Sequence, residues 1–461
     1  MSDHFRRGVA AVALAAGAML AFSASVMAET LEGALARAYV NNPTLNAQRA
    51  SVRATDETVS QAVGAYRPRV TGTADVGAQE DVNRTPANGR VVQDYLPRGA
   101  SLTVNQTIWN GNRIANGISQ AESNVLAARE TLRNTELQVL LDGVTAYMNV
   151  MRDTAILGVR RSNVEVLEEQ LRQVRDRFNV GEVTRTDVAQ TEASLAQGRS
   201  DAAVAESNLR SSLATYRQRI GVDAKQLAPA KPLDRLMPKS AEGAVKSAFL
   251  EHPAIQASQH GVDAAELNVR VVEADLFPSL SAVGTLTRRW DLQGRDIDRT
   301  SMSVVAQVSI PIYEGGIVYS RVRQAKEQLG QQRISVDVVR DQVRQAIFAG
   351  WALVEATKLQ VTAAQAQVQA AEVALAGVRE EAKVGQRTTL DVLNAQQTVA
   401  SGRVALVTAQ RDRVVATYTL LSATGRLSAA TLGLRSERYD ARVHFDQVRN
   451  KFIGLDTPGG R

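Results

Sequence analysis

The second half of the chain repeats the first half, at an offset of about 210 residues that narrows to about 204. Residues 180–188, for example, return as residues 384–392. Shorter anchors recur in the same order: 42–43 with 252–253, and 108–111 with 312–315. Several ordered matches are not expected by chance. The sequence therefore predicts a tandem duplication, and the fold has to be built from two similar units.

Each half contains a long tract without proline. No proline lies between Arg98 and Ala228, or between Ile312 and Thr457. These tracts are rich in Ala, Gln, Val, Glu and Arg, so they predict very long helices. The second tract has the three-four spacing of a coiled-coil seam: Val361, Ala364, Val368, Ala371, Leu375 and Val378. The first tract keeps this seam with one interruption, at Arg160: Leu157, Val164, Leu167, Leu171 and Val174.

A glycine reverses each helical tract. Gly181 and Gly385 occupy matching positions, and both are predicted to be helix-ending turn glycines. The helix before Gly181 covers residues 112–178, which is roughly 100 Å at 1.5 Å per residue. A second helix with apolar residues seven apart then returns along the first one. Each half is therefore predicted to end in a long antiparallel coiled-coil hairpin.

Two strands are expected before each coiled coil. A helix over residues 43–66, with a copy over 253–276, stops at Pro68 or Pro278, and strands follow. Apolar and small polar residues then alternate over about ten residues. In the first half Leu102, Val104, Gln106 and Ile108 alternate with Ser101, Thr103, Asn105 and Thr107. The polar segments between the strands are predicted to be loops: residues 79–97 and 288–300.

The first 28 residues have the layout of a cleavable secretory signal. Arg6 and Arg7 precede an apolar run over residues 9–22, and small residues lead to Ala28. The mature chain would begin at Glu29; the alternative is an uncleaved membrane anchor. The chain has no Cys, which excludes disulfides and a lipidated cysteine. No other stretch approaches 18 uninterrupted apolar residues, so any membrane-spanning part of the mature chain is expected to consist of strands.

Composition and motifs argue against nucleic-acid binding and catalysis. The net charge is +6 and the pI is about 9.6, but both charge signs are interspersed along the helical tracts and aromatics are few. The sequence contains no P-loop, dinucleotide-binding turn, nucleophile elbow or His-Glu-x-x-His motif. His252 and His260 are interpreted as surface residues, and His444 as part of a polar tail. We therefore expect no enzyme, cofactor, metal site or nucleic-acid partner.

Four strands of about ten residues suit a bilayer but cannot close into a barrel. Unpaired backbone groups at an open edge cost several kcal/mol each in lipid, and closed barrels have at least about eight strands. The chain must therefore oligomerise, and a trimer gives a 12-stranded barrel with apolar residues toward lipid and small polar residues toward a wet lumen. Helices of roughly 100 Å that continue from this barrel would form a tunnel. These features together predict a conduit.

The sequence resembles the TolC family of outer membrane efflux and type I secretion proteins over essentially the whole mature chain. The features that carry this resemblance are the Asn42-Pro43 pair, the proline-ended helices and the Val-Gly tips at Gly181 and Gly385. The resemblance implies a mainly α fold with a membrane β-barrel part. In this fold a homotrimer forms a 12-stranded barrel, a long α-helical barrel and an equatorial belt. The absence of Cys matches the non-lipidated branch of the family.

The resemblance also implies a domain division, a location and partners. The parts are a signal peptide (1–28), a first repeat (29–220), an equatorial linker (221–240), a second repeat (241–425) and a C-terminal equatorial segment with a flexible tail (426–461). The location is the outer membrane of a Gram-negative bacterium, extending into the periplasm. The partners are outer membrane lipid, a periplasmic adaptor (membrane fusion) protein and an inner-membrane transporter, ABC or proton-driven. The cargo, whether drugs or secreted protein, is left open.

Gate residues follow from the same resemblance. In TolC-like proteins, rings of acidic residues close the periplasmic mouth just after the tip of the second repeat. Asp391 matches the first ring position and Asn394 the second, so one of the two acidic rings is missing. A link between an Arg and an Asp of neighbouring coils matches Arg387 and Asp187. The tyrosine that assists this link is replaced by Ala382.

Local structure offers a second interpretation of the tip residues. Residues 184–187 and 388–391 are also capping-box patterns, in which Asp stands at the third position of a helix. Asp187 and Asp391 are therefore candidates for capping as well as for gating. Arg387 is equally a candidate for a solvated turn residue.

Four further positions are candidate contact residues. The resemblance places adaptor contacts at the tips, next to Gly181 and Gly385. Trp109 and Tyr313 stand at strand-to-helix junctions. They are candidates for aromatics of the membrane interface or for packing at the barrel shoulder.

Two other classes of protein are alternatives to a conduit. A periplasmic adaptor has a signal peptide and a coiled-coil hairpin, but it has one hairpin and a lipoyl-like β module. A secreted coiled-coil filament of the flagellin kind has long helices, but it lacks a signal peptide and strands of membrane length.

Overall fold

The computed structural model describes residues 28–87, 89–292 and 296–458, so all but the last residue of the predicted signal peptide lies outside the described residues. The helices of the first half are α1 (Leu31–Asn41), α2 (Pro43–Gly64), α3 (Arg113–Asn179) and α4 (Arg185–Ile220). Its strands, which lie between α2 and α3, are β1 (Arg69–Val76), β2 (Gln79–Thr85), β3 (Gly89–Tyr95) and β4 (Arg98–Trp109).

The second half follows the same order of elements, with one hairpin fewer and one additional helix at its end. Its helices are α5 (Ala241–Glu251), α6 (Pro253–Glu273), α7 (Ile317–Lys383), α8 (Thr389–Ala423) and α9 (Ala441–Val448). Its strands are β5 (Ser279–Trp290) and β6 (Arg299–Ser309). Helices α3 and α7 each contain 67 residues, which corresponds to about 100 Å. The predicted mainly helical class is confirmed.

Apolar seams hold each long helix against the helix that returns along it. In the first hairpin Leu167, Leu171 and Leu195 are buried in one cluster. In the second hairpin Ala364, Val368 and Ala371 are buried. Arg160, the charged interruption of the first seam, forms an ion pair with Asp201 on α4 at 3.0 Å. The predicted seams are confirmed, and the interruption is accommodated because its charge is paired between the two helices.

Strands β1, β4, β5 and β6 form one antiparallel sheet in that order. One of its faces carries cross-strand rows of hydroxyl side chains: Thr71, Thr103, Thr285 and Ser303, followed by Thr73, Ser101, Thr287 and Ser301. The rows on the other face are apolar or glycine: Val70, Val104, Gly284 and Val304, followed by Gly72, Leu102, Leu286 and Met302. This register confirms the predicted alternation of an apolar and a small polar face.

The structure corrects the two predicted loops. The segment 79–97 contains a separate hairpin in which β2 pairs with β3. The strands of this hairpin are polar and largely exposed, so they lack the alternation that marks a half-buried strand. The predicted loop 288–300 is also too long, because β5 continues to Trp290 and β6 begins at Arg299. Backbone pairing with both neighbours extends β5 past the end of its apolar pattern.

The largest apolar core lies where the two repeats meet. Tyr147 on α3 and Tyr216 on α4 are fully buried, with ring centroids 6.3 Å apart. The Tyr147 hydroxyl lies 2.7 Å from the Glu29 carbonyl oxygen and 2.6 Å from the Ala228 carbonyl oxygen. Apolar residues of the inter-repeat segment, including Leu233, pack against the same core. The segment 221–240 is therefore tied to the helices of both repeats.

The segment after Arg435 contains a helix that the sequence did not indicate. Helix α9 packs against α2, and its His444 Nδ1 lies 3.0 Å from Asp56 Oδ2. Both residues are buried, and burial raises the pKa of the Asp56 carboxyl. The assignment of His444 to a polar tail is therefore wrong. Its partner lies 388 residues away along the chain, so no local sequence pattern indicates the contact. His252, interpreted as a surface residue, is also buried.

Within residues 28–87, 89–292 and 296–458, no helix combines the length and the apolarity that crossing a bilayer requires.

Asn42 and His252 cap equivalent helices in the two repeats. Asn42 Oδ1 accepts hydrogen bonds from the N–H groups of Thr44 and Leu45 at 2.9 and 3.3 Å. His252 Nδ1 accepts a hydrogen bond from the Ala254 N–H at 3.1 Å. An imidazole nitrogen accepts only while it is unprotonated. Burial lowers the pKa of His252 to about 4, and the positive charge of Arg133 acts in the same direction.

The substitution His252→Asn should remove a loss of stability at acidic pH. The pKa of His252 is lower in the folded state than its ordinary value of 6.5. The contribution of the neutral imidazole to folding stability is therefore fully present above pH 6.5 and is lost as the pH falls toward about 4. This loss should reach about 2 kcal/mol near pH 4.5. An Asn side chain does not titrate, and Asn42 shows that it can cap the equivalent helix of the first repeat. Unfolding of both proteins between pH 7.5 and 4.5 is the measurement, and parallel stability curves would contradict the prediction.

Candidate functional site

The two coiled-coil hairpins turn at equivalent glycines. Gly181 and Gly385 have φ values of 82° and 77°, in the left-handed region that favours glycine. The Glu182 N–H donates to the Arg177 carbonyl oxygen, and the Gln386 N–H to the Glu381 carbonyl oxygen, both at 2.9 Å. These bonds are typical of a helix that ends in a left-handed turn. The prediction of helix-ending turn glycines is confirmed.

A capping box begins each returning helix. The Asp391 N–H donates to Thr388 Oγ1 at 3.2 Å, and the Thr388 N–H donates to Asp391 Oδ2 at 3.0 Å. Thr184 and Asp187 make the equivalent bonds at 3.3 and 2.9 Å. Hydrogen bonds from the hydroxyl and the backbone N–H of Thr184 lower the pKa of Asp187. The backbone N–H and the hydroxyl of Thr388 lower the pKa of Asp391 in the same way. The capping interpretation is therefore confirmed for both residues.

The candidate ring positions lie on one side of α8. Asn394 is exposed and Asp391 is half-exposed, whereas Leu393 and Gln396 on the opposite side are buried against the first hairpin. Residues three apart share a helix face. One carboxylate and one amide are therefore presented together, on the side of α8 that faces away from the first hairpin.

Arg387 forms an ion pair inside its own turn. Its Nε lies 2.7 Å from Glu381 Oε2, and Arg177 and Glu182 form the matching pair at 3.1 Å in the first turn. Thr389 of the second tip helps to lower the pKa of Asp187, and the next residue, Val188, packs against the cluster that contains Leu393 of α8. The two tips of one chain therefore touch. The link between Arg387 and Asp187 concerns neighbouring coils and stays a prediction.

The contact between the two hairpins was not predicted from the sequence. Leu393 of α8 packs with Leu167 and Leu195 of the first hairpin. Gln396 Nε2 donates to Asn163 Oδ1 at 3.4 Å, and both side chains are buried. These residues are 233 positions apart in the chain. The one sequence signal that could have indicated this contact is the presence of a polar residue in an apolar coiled-coil seam.

The candidate interface aromatics lie at the end of the sheet from which the long helices leave. Trp109 is the last residue of β4, and Tyr313 lies between β6 and α7. Both side chains are exposed. A third aromatic, Trp290, ends β5 at the other end of the sheet, inside the segment predicted to be a loop. Contact of Trp109 and Tyr313 with a membrane interface stays a prediction.

Comparisons with known proteins support one family. The model of the outer membrane efflux protein family matches residues 34–222 and 244–426. The outer membrane efflux protein BepC of Brucella suis biovar 1 is 43% identical, over 98% of this chain and 97% of BepC. The outer membrane protein TolC of Escherichia coli K12 is 24% identical, over 89% and 85% of the two chains. The Campylobacter jejuni CmeC outer membrane channel has a similar fold, with a TM-score of 0.76 at 17% identity over 91% of this chain and 89% of CmeC.

Replacing Thr388 by Ala should loosen the start of α8. The substitution removes the hydroxyl that bonds the Asp391 N–H, and loss of an N-cap side chain costs about 1 kcal/mol. Amide hydrogen exchange at Asp391 and Val392, whose N–H groups bond to Thr388, should accelerate roughly fivefold. Thr398→Ala is the matched control, because the Thr398 hydroxyl bonds a carbonyl within the same helix and caps nothing. Equal exchange in the two variants would show that Thr388 does not hold this turn.

Proposed function

Because this chain belongs to the outer membrane efflux protein family, we propose that it is a channel-tunnel conduit for efflux of small molecules, type I protein secretion, or both. It lies in the outer membrane of a Gram-negative bacterium and extends into the periplasm. The observation that carries the proposal is the four-stranded sheet, which has an apolar and a hydroxyl-bearing face and leads into two helices of 67 residues. A conduit needs this division between a lipid-facing side and a wet side.

Three copies complete the conduit in this proposal. Strands β1 and β6 are the outer strands of the sheet, and pairing β6 of one copy with β1 of the next gives 12 strands. The apolar rows then face lipid; Met302 and Val304 in these rows are 80% and 75% exposed in the single chain. The coiled-coil hairpins form the helical barrel. The segments 221–240 and 426–458 surround it as an equatorial belt.

The helical tips dock to a periplasmic adaptor protein, which connects the conduit to an inner-membrane transporter, ABC or proton-driven. Val180 and Val384, next to Gly181 and Gly385, are each 72% exposed. Exposed apolar side chains at equivalent positions of both hairpins support docking there, because such groups gain from being covered.

The gate lies at the same tips. In a trimer, Asp391 contributes three carboxylates to one ring at the mouth, and Asn394 contributes three amides to the next layer. The cap hydrogen bonds keep Asp391 ionised, as an acidic ring requires. Arg387 binds Asp187 of the neighbouring coil when the mouth is closed, and it exchanges this contact for the ion pair with Glu381.

Extraction and conductance test the conduit as a whole. The protein should leave outer membranes only with detergent, migrate as a heat-modifiable trimer, and form discrete channels in planar bilayers, because lipid-facing strands pair only between copies. A protein that is soluble without detergent and monomeric would overturn the proposal. It would favour a periplasmic adaptor or a secreted coiled-coil protein.

Asp391→Asn should weaken cation selectivity and block by multivalent cations. Three carboxylates in one ring attract cations strongly, and the neutral amides do not. The cation-to-anion permeability ratio should fall by roughly threefold or more, because the neutral ring no longer concentrates cations at the mouth. Asp341→Asn is the control for the loss of one carboxylate, because Asp341 lies on α7 far from the tips and pairs with Arg344 of its own helix at 3.0 Å. Unchanged selectivity and block in Asp391→Asn would remove this residue from the gate.

A further inference from the structure

The apolar face of the sheet ends in a basic and aromatic patch, at the end away from the long helices. The last cross-strand row on this face contains Val76, Arg98 and Trp290, and the row before it contains Ala74, Ala100, Arg288 and Thr300. Positions two apart in a strand share a face. Arg98, Arg288 and Trp290, which we call the head patch, therefore continue the face of Leu102 and Leu286.

The two arginines of the head patch are open to a ligand. The Arg288 guanidinium lies 5.1 Å from the centre of the Trp290 ring. The Arg98 side chain is 63% exposed and forms a long ion pair with Asp291, at 3.9 Å. Arg289, next to Arg288, points to the opposite face and is neutralised by Asp75 at 2.9 Å. Arg288 has no carboxylate partner among the described residues, so its positive charge lies on the apolar side of the sheet, beside the long ion pair of Arg98.

The position of the head patch matches the edge of a membrane. From Ile108 to Arg98 the apolar face of β4 spans ten residue steps, about 33 Å of strand. At a tilt near 40° this corresponds to a height of about 25 Å, the height of the apolar band of outer membrane barrels. Trp109 lies at one limit of this span and Trp290 at the other. Aromatic residues commonly mark both boundaries of such a band.

We infer that the head patch binds the phosphate groups of lipid A, the lipid anchor of lipopolysaccharide in the outer leaflet. The inference rests on the proposed function, which puts the long helices in the periplasm and the head patch at the outer leaflet. A guanidinium offers paired N–H donors that match phosphate oxygens, and its delocalised charge tolerates partial burial. The Trp290 ring holds the Arg288 guanidinium in place and offers an apolar surface to the first acyl carbons.

Native mass spectrometry of the detergent-solubilised channel tests this inference with defined lipids as probes. Wild type should bind bisphosphorylated lipid A at least tenfold more tightly than dephosphorylated lipid A. The variant R98Q/R288Q should lose at least tenfold in affinity for the bisphosphorylated form, and R98K/R288K should recover part of it, because Lys keeps the charge without the planar fork. The matched control is R289Q, which removes the next arginine of the same strand on the opposite face; its affinity should stay within twofold of wild type.

Several outcomes would overturn the inference. Equal binding of the two lipids, equal affinity of wild type and R98Q/R288Q, or an equal loss in R289Q would each do so. Displacement of lipid A by millimolar inorganic phosphate would show a general anion site, and it would also count against the inference. Conductance of the same preparations separates the two proposals. A conducting, heat-modifiable trimer that shows no phosphate preference refutes the head patch alone, and a wild type that forms no channels refutes the conduit and the head patch with it.

Discussion

Backbone hydrogen bonding at the edges of the sheet is the constraint on which the rest of the molecule depends. Strands β1 and β6 end a sheet that has one apolar face. Each unpaired backbone group in lipid costs several kcal/mol, and in the proposed trimer these edges meet strands of other copies. The duplication makes this possible, because pairing of β4 with β5 joins the strands of the two repeats into one sheet. Both long helices follow strands at the same end of the sheet. Closure of the sheet in the proposed trimer would therefore also bring the helices of the copies together.

Local periodicity made much of the fold predictable. The seam around Leu171 and Val368, the turns at Gly181 and Gly385, and the alternation of the paired strands all follow from spacing along the chain. The unpredicted parts depend on contacts between distant residues or on backbone pairing alone. His444 meets Asp56 across 388 residues, and the polar β2–β3 hairpin buries almost no apolar surface that could mark it. At the tips, spacing correctly predicted the caps, but it gave no sign of the Arg387–Glu381 ion pair.

Capping and gating are compatible roles for Asp391. The cap uses the carboxylate as a hydrogen-bond acceptor and lowers its pKa, which favours the charged form. An acidic ring needs the same charged form at the same place. Asp187 has an equivalent cap, so capping alone does not distinguish the two repeats. The proposed difference lies in what each carboxylate faces, and this depends on the arrangement of copies around the mouth.

The two hairpins separate at a lower cost at their tips than near the core between the repeats. Around Leu393 the two hairpins share a small leucine cluster, and exposing one leucine costs roughly 2 kcal/mol. Gln396 Oε1 is buried there without a hydrogen-bond partner among the described residues, so separation would let water satisfy it and would offset part of this cost. Near Tyr147, in contrast, separation would expose Val414, Tyr418 and Leu421 of α8, which are buried in the largest apolar core. Packing therefore favours separation of the two hairpins at their tips, whereas the larger core between the repeats holds the rest of the two hairpins together.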